Sequence, residues 1–546
     1  MTILSRALSG EPLPDVCIVG SGPVGIALAL ECESLGLSVV MLESGKARVD
    51  PKLSDASRAT IVDSRRHAIM EVAVCRAFGG TSWTWGGRCV PFDALDFGRR
   101  EYVPESGWPI NDSDVASWYA GALKYFSAGE NRFVSPSPDW CHLSGDLTAD
   151  QLERWSSEPR IAPLHEQRIR RSKKIALCLD STVVDLELGF DGDRISGVVV
   201  LGAAGRSIVR ARHYVLAAGG LETTRLLLVV QRHWPLCFGG SGGALGRYYM
   251  GHLSGKIADI ALEKPADVTN LDFHLDSAGG YVRRRFTIKP EAQRSSGLLN
   301  IAFWLDNPRF HDARHQSGIL SLVFLGLACP PIGRRLVAEA IRLAHIGPPP
   351  RRYGVHVLNV LSDFPRTVSG AVTILRERIL ARPRKPGFLV YNRAGKYALH
   401  YHAEPTPDPA SRVKLTNRVD AFGMPRLAVD LRFSEADARS VVHAHDIIDM
   451  GLRASYKGRL EYLYPKSERG IRVIDQATDG LHQIGTTRMG TDAKKSIVDR
   501  DCRVHGISNL YVASSSVFPT ASQASPTLLA AALALRLAHH LGSNPP

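Results

Sequence analysis

The sequence predicts an α/β chain that builds a parallel sheet from separated segments and joins it to a second region of long strands and helices. Three observations carry that prediction. A strand, a glycine-rich turn, a helix and a second strand open the chain at residues 15–45. A strand at Tyr214–Ala217 runs into Ala218, Gly219 and Gly220 and then a helix, LETTRLLLVV, as if returning to the same sheet. An almost wholly apolar helix at residues 524–541 ends the chain and has to be buried.

The opening unit is the most informative. Val16–Val19 is a short, fully apolar strand. Gly20, Gly22 and Gly25 form G-x-G-x-x-G. The helix runs from Pro23 through Leu35, with Gly36 placed as its stop. Ser38–Leu42 is the second strand, with Glu43 at its end. In that setting Gly20 permits the tight turn, Gly22 lets backbone approach a pyrophosphate, and Gly25 lets helix and strand pack closely. The helix N-terminus offers unpaired N–H groups to phosphates. Glu43 stands where an acid accepts hydrogen bonds from ribose hydroxyls. An ordinary glycine-rich turn leaves Glu43 unexplained. The motif alone does not separate a flavin from a nicotinamide cofactor.

Bulk properties narrow the class. The chain has 546 residues, ordinary apolar and charged fractions, and a formal net charge of +13. Lys and Arg are scattered, apart from short clusters such as Arg283–Arg285 and Arg376–Lys385, and no zinc-finger or RNA-binding motif occurs. A basic solvated surface is the plain reading, with no nucleic acid as partner. The nine cysteines include no C-x-x-C pair, which favours reduced, mostly buried thiols and gives a metal site no support. The first fourteen residues lack a signal-peptide core. The longest apolar run, Ile319–Cys329, is too short to span a bilayer, so the expectation is a soluble, cytoplasmic protein without a transmembrane segment.

The rest of the chain reads as a series of shorter elements. Ile69–Ala77 is read as helical. Residues 78–97 hold four glycines and two tryptophans within ten positions, which suits either an aromatic loop packed on its own domain or a loop laid against a flat cofactor ring. A helix starts near Asp114, capped by Asp112 or Ser113. Ile175–Leu179, Thr182–Leu188 and Ile195–Leu201 read as a β-meander, turned at Asp191–Arg194. Residues 256–465 then change character, with strands at Gly280–Ile288, Leu298–Leu305 and Tyr397–Ala403. An amphipathic helix is expected at Ile332–Ile346, with Arg334, Arg335, Glu339 and Arg342 on its polar side, packing on the core, with docking on a lipid surface as the alternative. Another helix is expected at Ala436–Leu452, with His443 and His445 at its surface. Near the end, LHQIGTTRMG sets a histidine before a hydroxyl-rich turn, and Leu510–Ala513 is a short strand. Ser525 suits the cap of the final helix and Pro526 its first turn.

Five stretches in this order resemble the glucose–methanol–choline (GMC) oxidoreductase family, which uses FAD. They are GSGPVG with ESG; GGTSWTWGGRC with SGWP; LAAGGLETTRLLL; LGRYYMGH; and HQIGTTRMG, VDRDCRVHG, NLYVASSSVFPT and SPTLLAAALALRLA in the tail. The tail and the tryptophan loop most resemble bacterial members acting on sugars and sugar-like alcohols. The resemblance implies a discontinuous Rossmann-like FAD-binding domain with an α+β substrate domain of antiparallel sheet and helices. The expected division is 10–125 and 171–255 for the FAD domain, 126–170 for a lid or substrate-domain segment, 256–469 for the substrate domain and 470–546 for a return to the FAD domain with active-site residues. Gly20, Gly22, Gly25 and Glu43 match the pyrophosphate and ribose positions, and Val183 matches the residue beside the adenine. Gly80, Thr81 and Trp85 match the loop beside the flavin ring, and Ser515 and Thr527 match positions on its C-terminal side.

His482 matches the family's catalytic base. The residue before Trp85 is Thr84 rather than the histidine that some relatives link to FAD, so FAD is expected to be non-covalent. The position usually held by His or Asn before the last helix's proline is Ser525, which leaves Gln523 or a water to fill the gap. The resemblance thus implies oxidation of a primary or secondary alcohol, a sugar or polyol, to a carbonyl. His482 takes the hydroxyl proton, Ser525 orients the alcohol, and the hydride goes to flavin N5. A free imidazole titrates near pH 6.5, which suits a neutral base. A redox-silent lyase on the same scaffold and a non-catalytic flavin-binding protein are the alternatives. The electron acceptor stays open among oxygen, a quinone and a separate carrier protein.

Overall fold

The computed structural model describes residues 13–543 apart from 138, 141–142, 337–341, 343–344 and 348. Its first unit forms as the apolar pattern dictates. Strand β1 (Val16–Val19) is followed by helix α1 (Pro23–Ser34) and strand β2 (Val39–Leu42), with both strands wholly buried. Gly20 takes φ +104°, and a Cβ there would sit 2.7 Å from the Ala217 carbonyl oxygen. Only glycine makes that turn without strain. A Cβ on Gly25 would meet the Gly20 carbonyl oxygen at 2.3 Å, so the helix rides directly on the turn.

The chain then leaves this sheet. Strand β3 (Leu147–Trp155) and helix α2 (Ile161–Arg171) precede strand β4 (Ile175–Cys178). Strands β5 (Thr182–Leu188), β6 (Ile195–Gly202) and β7 (Gly205–Val209) form an antiparallel three-stranded sheet. Strand β8 (His213–Leu216) leads into helix α3 (Gly220–His233). The expected meander is corrected at its first member. β4 pairs in parallel with β2 instead, because its Ile175–Cys178 register continues the buried face of Val39–Leu42.

Strands β9 (Leu253–Leu262), β10 (Tyr281–Ile288) and β11 (Ile301–Asp306) are followed by helices α4 (Gly318–Ala328), α5 (Tyr353–Ser362) and α6 (Phe364–Leu375). Strand β12 (Lys396–Ala403), helix α7 (Glu435–Ala454) and strand β13 (Gly458–Tyr462) complete this region. Strand β14 (Leu510–Val512) and helix α8 (Thr527–Ser543) return to the first unit.

Two sheets organise these elements. The parallel one has the order β14-β8-β1-β2-β4, so strands from three distant parts of the sequence lie side by side. The final helix α8 packs on α1, burying Leu528, Leu529, Leu533, Leu535, Leu537 and Leu541. The antiparallel sheet has the order β13-β9-β12-β11-β10-β3, extended by Arg88–Cys89 beyond β3. Its own core includes Phe286, Phe303, Tyr397 and Tyr401. A smaller sheet joins residues 412–419, 425–430 and 60–61.

Four further expectations are revised. Only Met70–Ala73 of Ile69–Ala77 is helical. The helix expected from Asp114 is split into Ser113–Ala116 and Tyr119–Tyr125. His445 is buried, not at the surface: its Nδ1 faces the Val441 carbonyl at 2.7 Å and its ring packs on Phe303 and Tyr401. The helix expected at Ile332–Ile346 falls partly outside the described residues, Glu339 included. Arg342, assigned to its polar side, is buried and donates to the Leu327 carbonyl at 3.0 Å. The eight described cysteines are all free thiols, and Cys141 lies outside the described residues. Among the described residues no helix is long and apolar enough to cross a membrane.

Candidate active site

A crevice opens above the C-terminal ends of β1, β2 and β8, where ligands bind in doubly wound sheets. It is lined by Gly20, Gly22, Glu43, Gly80, Thr81, Val183, His482, Ser515 and Thr527, among others. Nine of the twelve residues picked from sequence therefore share one cavity. Counting its open mouth, the crevice encloses about 1310 Å3.

At one wall, Glu43 is buried and anchored. Its Oε2 accepts from the Ser21 hydroxyl at 2.6 Å and the Ser21 N–H at 3.1 Å, and its Oε1 accepts from the Gly45 N–H at 2.8 Å. Burial pushes its carboxyl up, and these hydrogen bonds only partly offset that. A carboxylate has about four lone-pair sites, so it retains capacity for one more donor. A Cβ on Gly22 would meet nothing within 4 Å, which leaves bare backbone N–H groups facing open space. Gly80 folds over this turn, where its own Cβ would lie 2.9 Å from Gly22 Cα.

Three predicted residues sit elsewhere. Gly25 supports the turn from behind. Trp85 is outside the lining: its indole N–H donates to the Pro159 carbonyl and its ring meets Phe126 edge-on at 5.5 Å. The indole is held there because its only donor is already satisfied. Trp83 likewise donates to the Phe78 carbonyl at 2.8 Å. The loop thus divides its work, with glycine and threonine facing the crevice and tryptophans packing on the chain. Ser525 is buried beside the lining residues Pro526 and Thr527 without lining the crevice itself. Gln523 does not fill the gap. Its side-chain oxygen accepts from Arg285, and its amide nitrogen donates to Asp93 at 3.1 Å.

Around His482 lie residues that the sequence did not single out. Met250 and Ile484 exchange backbone hydrogen bonds at 2.9 and 3.1 Å. In an antiparallel bridge that register sets residue 252 across from residue 482. Accordingly His252 Nδ1 lies 3.1 Å from His482 Nδ1. Asp479 Oδ2 lies 2.9 Å from His482 Nδ1 and accepts the His252 N–H at 2.7 Å. Its Oδ1 accepts the N–H groups of Leu481 and His482 at 2.9 and 3.1 Å. Burial opposes the charge on Asp479, but the two histidines and these hydrogen bonds hold its carboxyl well below the usual range.

Because a carboxylate only accepts, His482 carries its proton on Nδ1. That leaves Nε2 with no hydrogen-bond partner among the described residues. His252 Nε2 faces the Ala521 carbonyl at 3.3 Å, and burial holds His252 below the ordinary histidine range. His402 stacks on His252 at 4.1 Å and donates from Nδ1 to the Gln523 carbonyl at 2.7 Å. Burial and the neighbouring His252 keep it neutral. Among the described residues these three histidines are the one cluster compact enough to weigh as a metal site. Their inward nitrogens, however, are committed to Asp479, to one another and to backbone carbonyls.

Beyond His402, Trp304 stands across from His400 in the sheet register and stacks on it at 4.7 Å. Arg88 and Arg283 lie over the Trp304 ring at 4.4 and 5.1 Å and share the buried carboxylate of Glu153. Arg88 Nη2 and Arg285 Nε and Nη2 are buried with no acceptor among the described residues. A buried donor without a partner is costly, so this cluster has donors left over for acceptor oxygens.

Comparisons with known proteins agree with this geometry. A family model described as GMC oxidoreductase matches residues 407–534, and one for an FAD binding domain matches residues 14–73. The chain is 30% identical to paromamine 6'-oxidase of Streptomyces fradiae over 96% of its own length and 90% of that protein's. The chain belongs to the GMC oxidoreductase family. It is also 36% identical to C-glycoside 3-oxidase of Arthrobacter globiformis, over 135 residues that make up 24% of each chain. In fold this GMC oxidoreductase resembles pyridoxine 4-oxidase from Mesorbium loti, with a TM-score of 0.52 at 17% identity, covering 96% of this chain and 99% of that one.

The cofactor of this GMC oxidoreductase is FAD, and the residues present fit it. The bare Gly22 backbone above β1 would cradle phosphate in space that any side chain would fill, and Glu43 would have a lone pair left for a ribose hydroxyl. We predict that Gly25→Ala costs about 1–3 kcal/mol of stability, as overpacking does, and lowers flavin content. The clash is with backbone, which cannot swing aside. Thermal unfolding and the flavin-to-protein absorbance ratio read both effects.

Proposed function

We propose that this GMC oxidoreductase oxidises a hydroxyl-rich, sugar-like alcohol to a carbonyl, with His482 Nε2 as the base and FAD held without a covalent bond. The Asp479–His482 contact, on the rim of the crevice that carries the dinucleotide cradle, is the observation that supports it most. Bound FAD supplies the hydride acceptor. The chain's residues do the rest. Asp479 fixes the proton on His482 Nδ1, so that Nε2 accepts the substrate's hydroxyl proton. Removing that proton makes the alcohol carbon a far better hydride donor. Ser525, next to Pro526 at the start of α8, is proposed to orient the alcohol. Arg88 and Arg285, with donors to spare, are proposed to hold further substrate oxygens. Resemblance to two oxidases whose names denote an aminoglycoside and a C-glycoside supports a sugar-like substrate.

The test is anaerobic mixing with sugars, aminosugars, cyclitols and simple alcohols while flavin absorbance is monitored. Bleaching by a sugar-like class is expected, and subsequent oxygen then distinguishes oxidase from dehydrogenase. Turnover with a flavin that stays oxidised points instead to a lyase. A yellow protein that binds these compounds and converts none of them overturns the enzymatic reading.

A further inference from the structure

The outer layer of helices is built inside out. In water an amphipathic helix buries its apolar stripe and exposes its polar one. Helices α5 and α6, both packed on α4, do the reverse. The buried residues of α5 are His356 and Asn359. His356 Nδ1 lies 3.0 Å from the Ser321 hydroxyl, and Asn359 Nδ2 donates to the Ala313 carbonyl at 2.9 Å. The buried residue of α6 is Thr367, whose hydroxyl donates to the Asp363 carbonyl at 2.8 Å. His356 and Asn359 are thus satisfied against the body of the protein, and Thr367 against the first turn of its own helix.

The apolar ones are left outside. On α5, Leu358 and Leu361 are each 63% exposed. On α6, Phe364, Val368, Val372 and Leu375 are between 46% and 59% exposed. Their spacing of four, four and three places them on one stripe of the helix. Scattered exposed leucines need no explanation, but a contiguous apolar surface of this kind marks a contact.

The charge around the stripe says what kind. Residues 351–385 hold eight Arg and Lys against Asp363 and Glu377; Lys385 is paired with Asp272 and Glu377, and Arg366 with Asp363, so the excess is carried by the other arginines. Arg352 immediately precedes α5, Arg366 lies in the first turn of α6 and Arg376 comes directly after its last residue, and all three are exposed. A second copy docked on this face would bring two basic rims together. An anionic lipid surface would pair each arginine with phosphate and cover the apolar stripe.

We propose that α5 and α6 form a docking face for an anionic phospholipid membrane. They lie in its headgroup layer with Leu358, Leu361, Phe364, Val368, Val372 and Leu375 at the acyl boundary. The protein rests on such a membrane rather than crossing it. This assignment is independent of the chemistry proposed for the crevice.

Vesicle flotation of the full-length, FAD-loaded protein tests it. Binding to phosphatidylcholine–phosphatidylglycerol vesicles is expected, falling about tenfold or more on pure phosphatidylcholine or in high salt. Leu361→Glu with Val372→Glu is expected to reduce flotation at least tenfold with flavin absorbance and melting temperature unchanged. Should that pair lose its flavin, Arg352→Glu with Arg376→Glu carries the test, with a loss of about fivefold per arginine. No flotation by the native protein overturns the assignment. So does light scattering that shows a dimer which Leu361→Glu dissociates while neither form floats; the face then belongs to a second copy. Flotation that both variant pairs leave at the native level also overturns it.

Discussion

Replacing His482 with alanine is expected to leave a yellow protein that its alcohol reduces about 10²–10⁴-fold more slowly, the usual contribution of a positioned base. The cofactor should stay because its cradle is built elsewhere. Gly20, Gly22, Gly80, Glu43 and Val183 line the crevice without touching His482 for support. The fold should survive as well, since the imidazole borders open space and water can enter where it stood. Asp479 keeps three of its four donors after truncation, namely the N–H groups of His252, Leu481 and residue 482. Anaerobic stopped-flow reduction measures the step directly. A loss confined to the maximal rate, with the half-saturating concentration little changed, is what an interaction made only in the transition state gives. Reduction at the native rate in a variant with full flavin would remove His482 from the chemistry.

Much of this architecture is legible in the sequence alone. The first cradle is readable because Gly20 and Gly25 each answer a local steric demand that a sequence motif records. The return of β8 to the same sheet is readable because a fully buried parallel strand is apolar on both faces. Other features depend on register between distant segments. His252 faces His482 only because Met250 pairs with Ile484, a relation no periodicity encodes. Asp479 stands three residues before His482, close enough to notice, yet its significance comes from the turn that aims it inward. His400 and His402 alternate along YALHYHA, a pattern that places both on one face of a strand. That alternation is a usable signal. The pairing of edge strand β4, though not its existence, escapes sequence reading for the same reason as the burial of His445. A short apolar run and a helical histidine do not declare their neighbours. The inverted polarity of α5 and α6 is hidden in another way. Their apolar spacing fits a core-facing helix equally well, and only the exposure of each residue separates the two readings.

The second large effect is expected at Asp479, which in the proposed mechanism touches no reacting atom and acts through His482. Every group around its carboxylate is a donor: His482 Nδ1 and the His252 N–H at Oδ2, the Leu481 and His482 N–H groups at Oδ1. Asparagine offers one acceptor and one NH2, so one side must now meet donor with donor. Keeping the carbonyl on the Leu481 side turns the NH2 toward the histidine. The ring can then accept only by moving its proton from Nδ1 to Nε2, which removes the lone pair the substrate needs. A wrong-tautomer substitution of this kind costs about 10⁴ in the Ser-His-Asp enzymes, and Asp479→Asn is expected to cost about 10²–10⁴ in flavin reduction. The native carboxylate is held well below its ordinary range by the histidines and the hydrogen bonds they donate, against the opposing effect of burial. Acidification through the neutral and mildly acid range therefore does not protonate it, and the native enzyme keeps this acceptor there. Loss in Asp479→Asn should appear in the maximal rate more than in half-saturation, with flavin content preserved. A variant that binds substrate tenfold less well but reduces flavin at the native maximal rate would make Asp479 a scaffold for the His252 loop and nothing more.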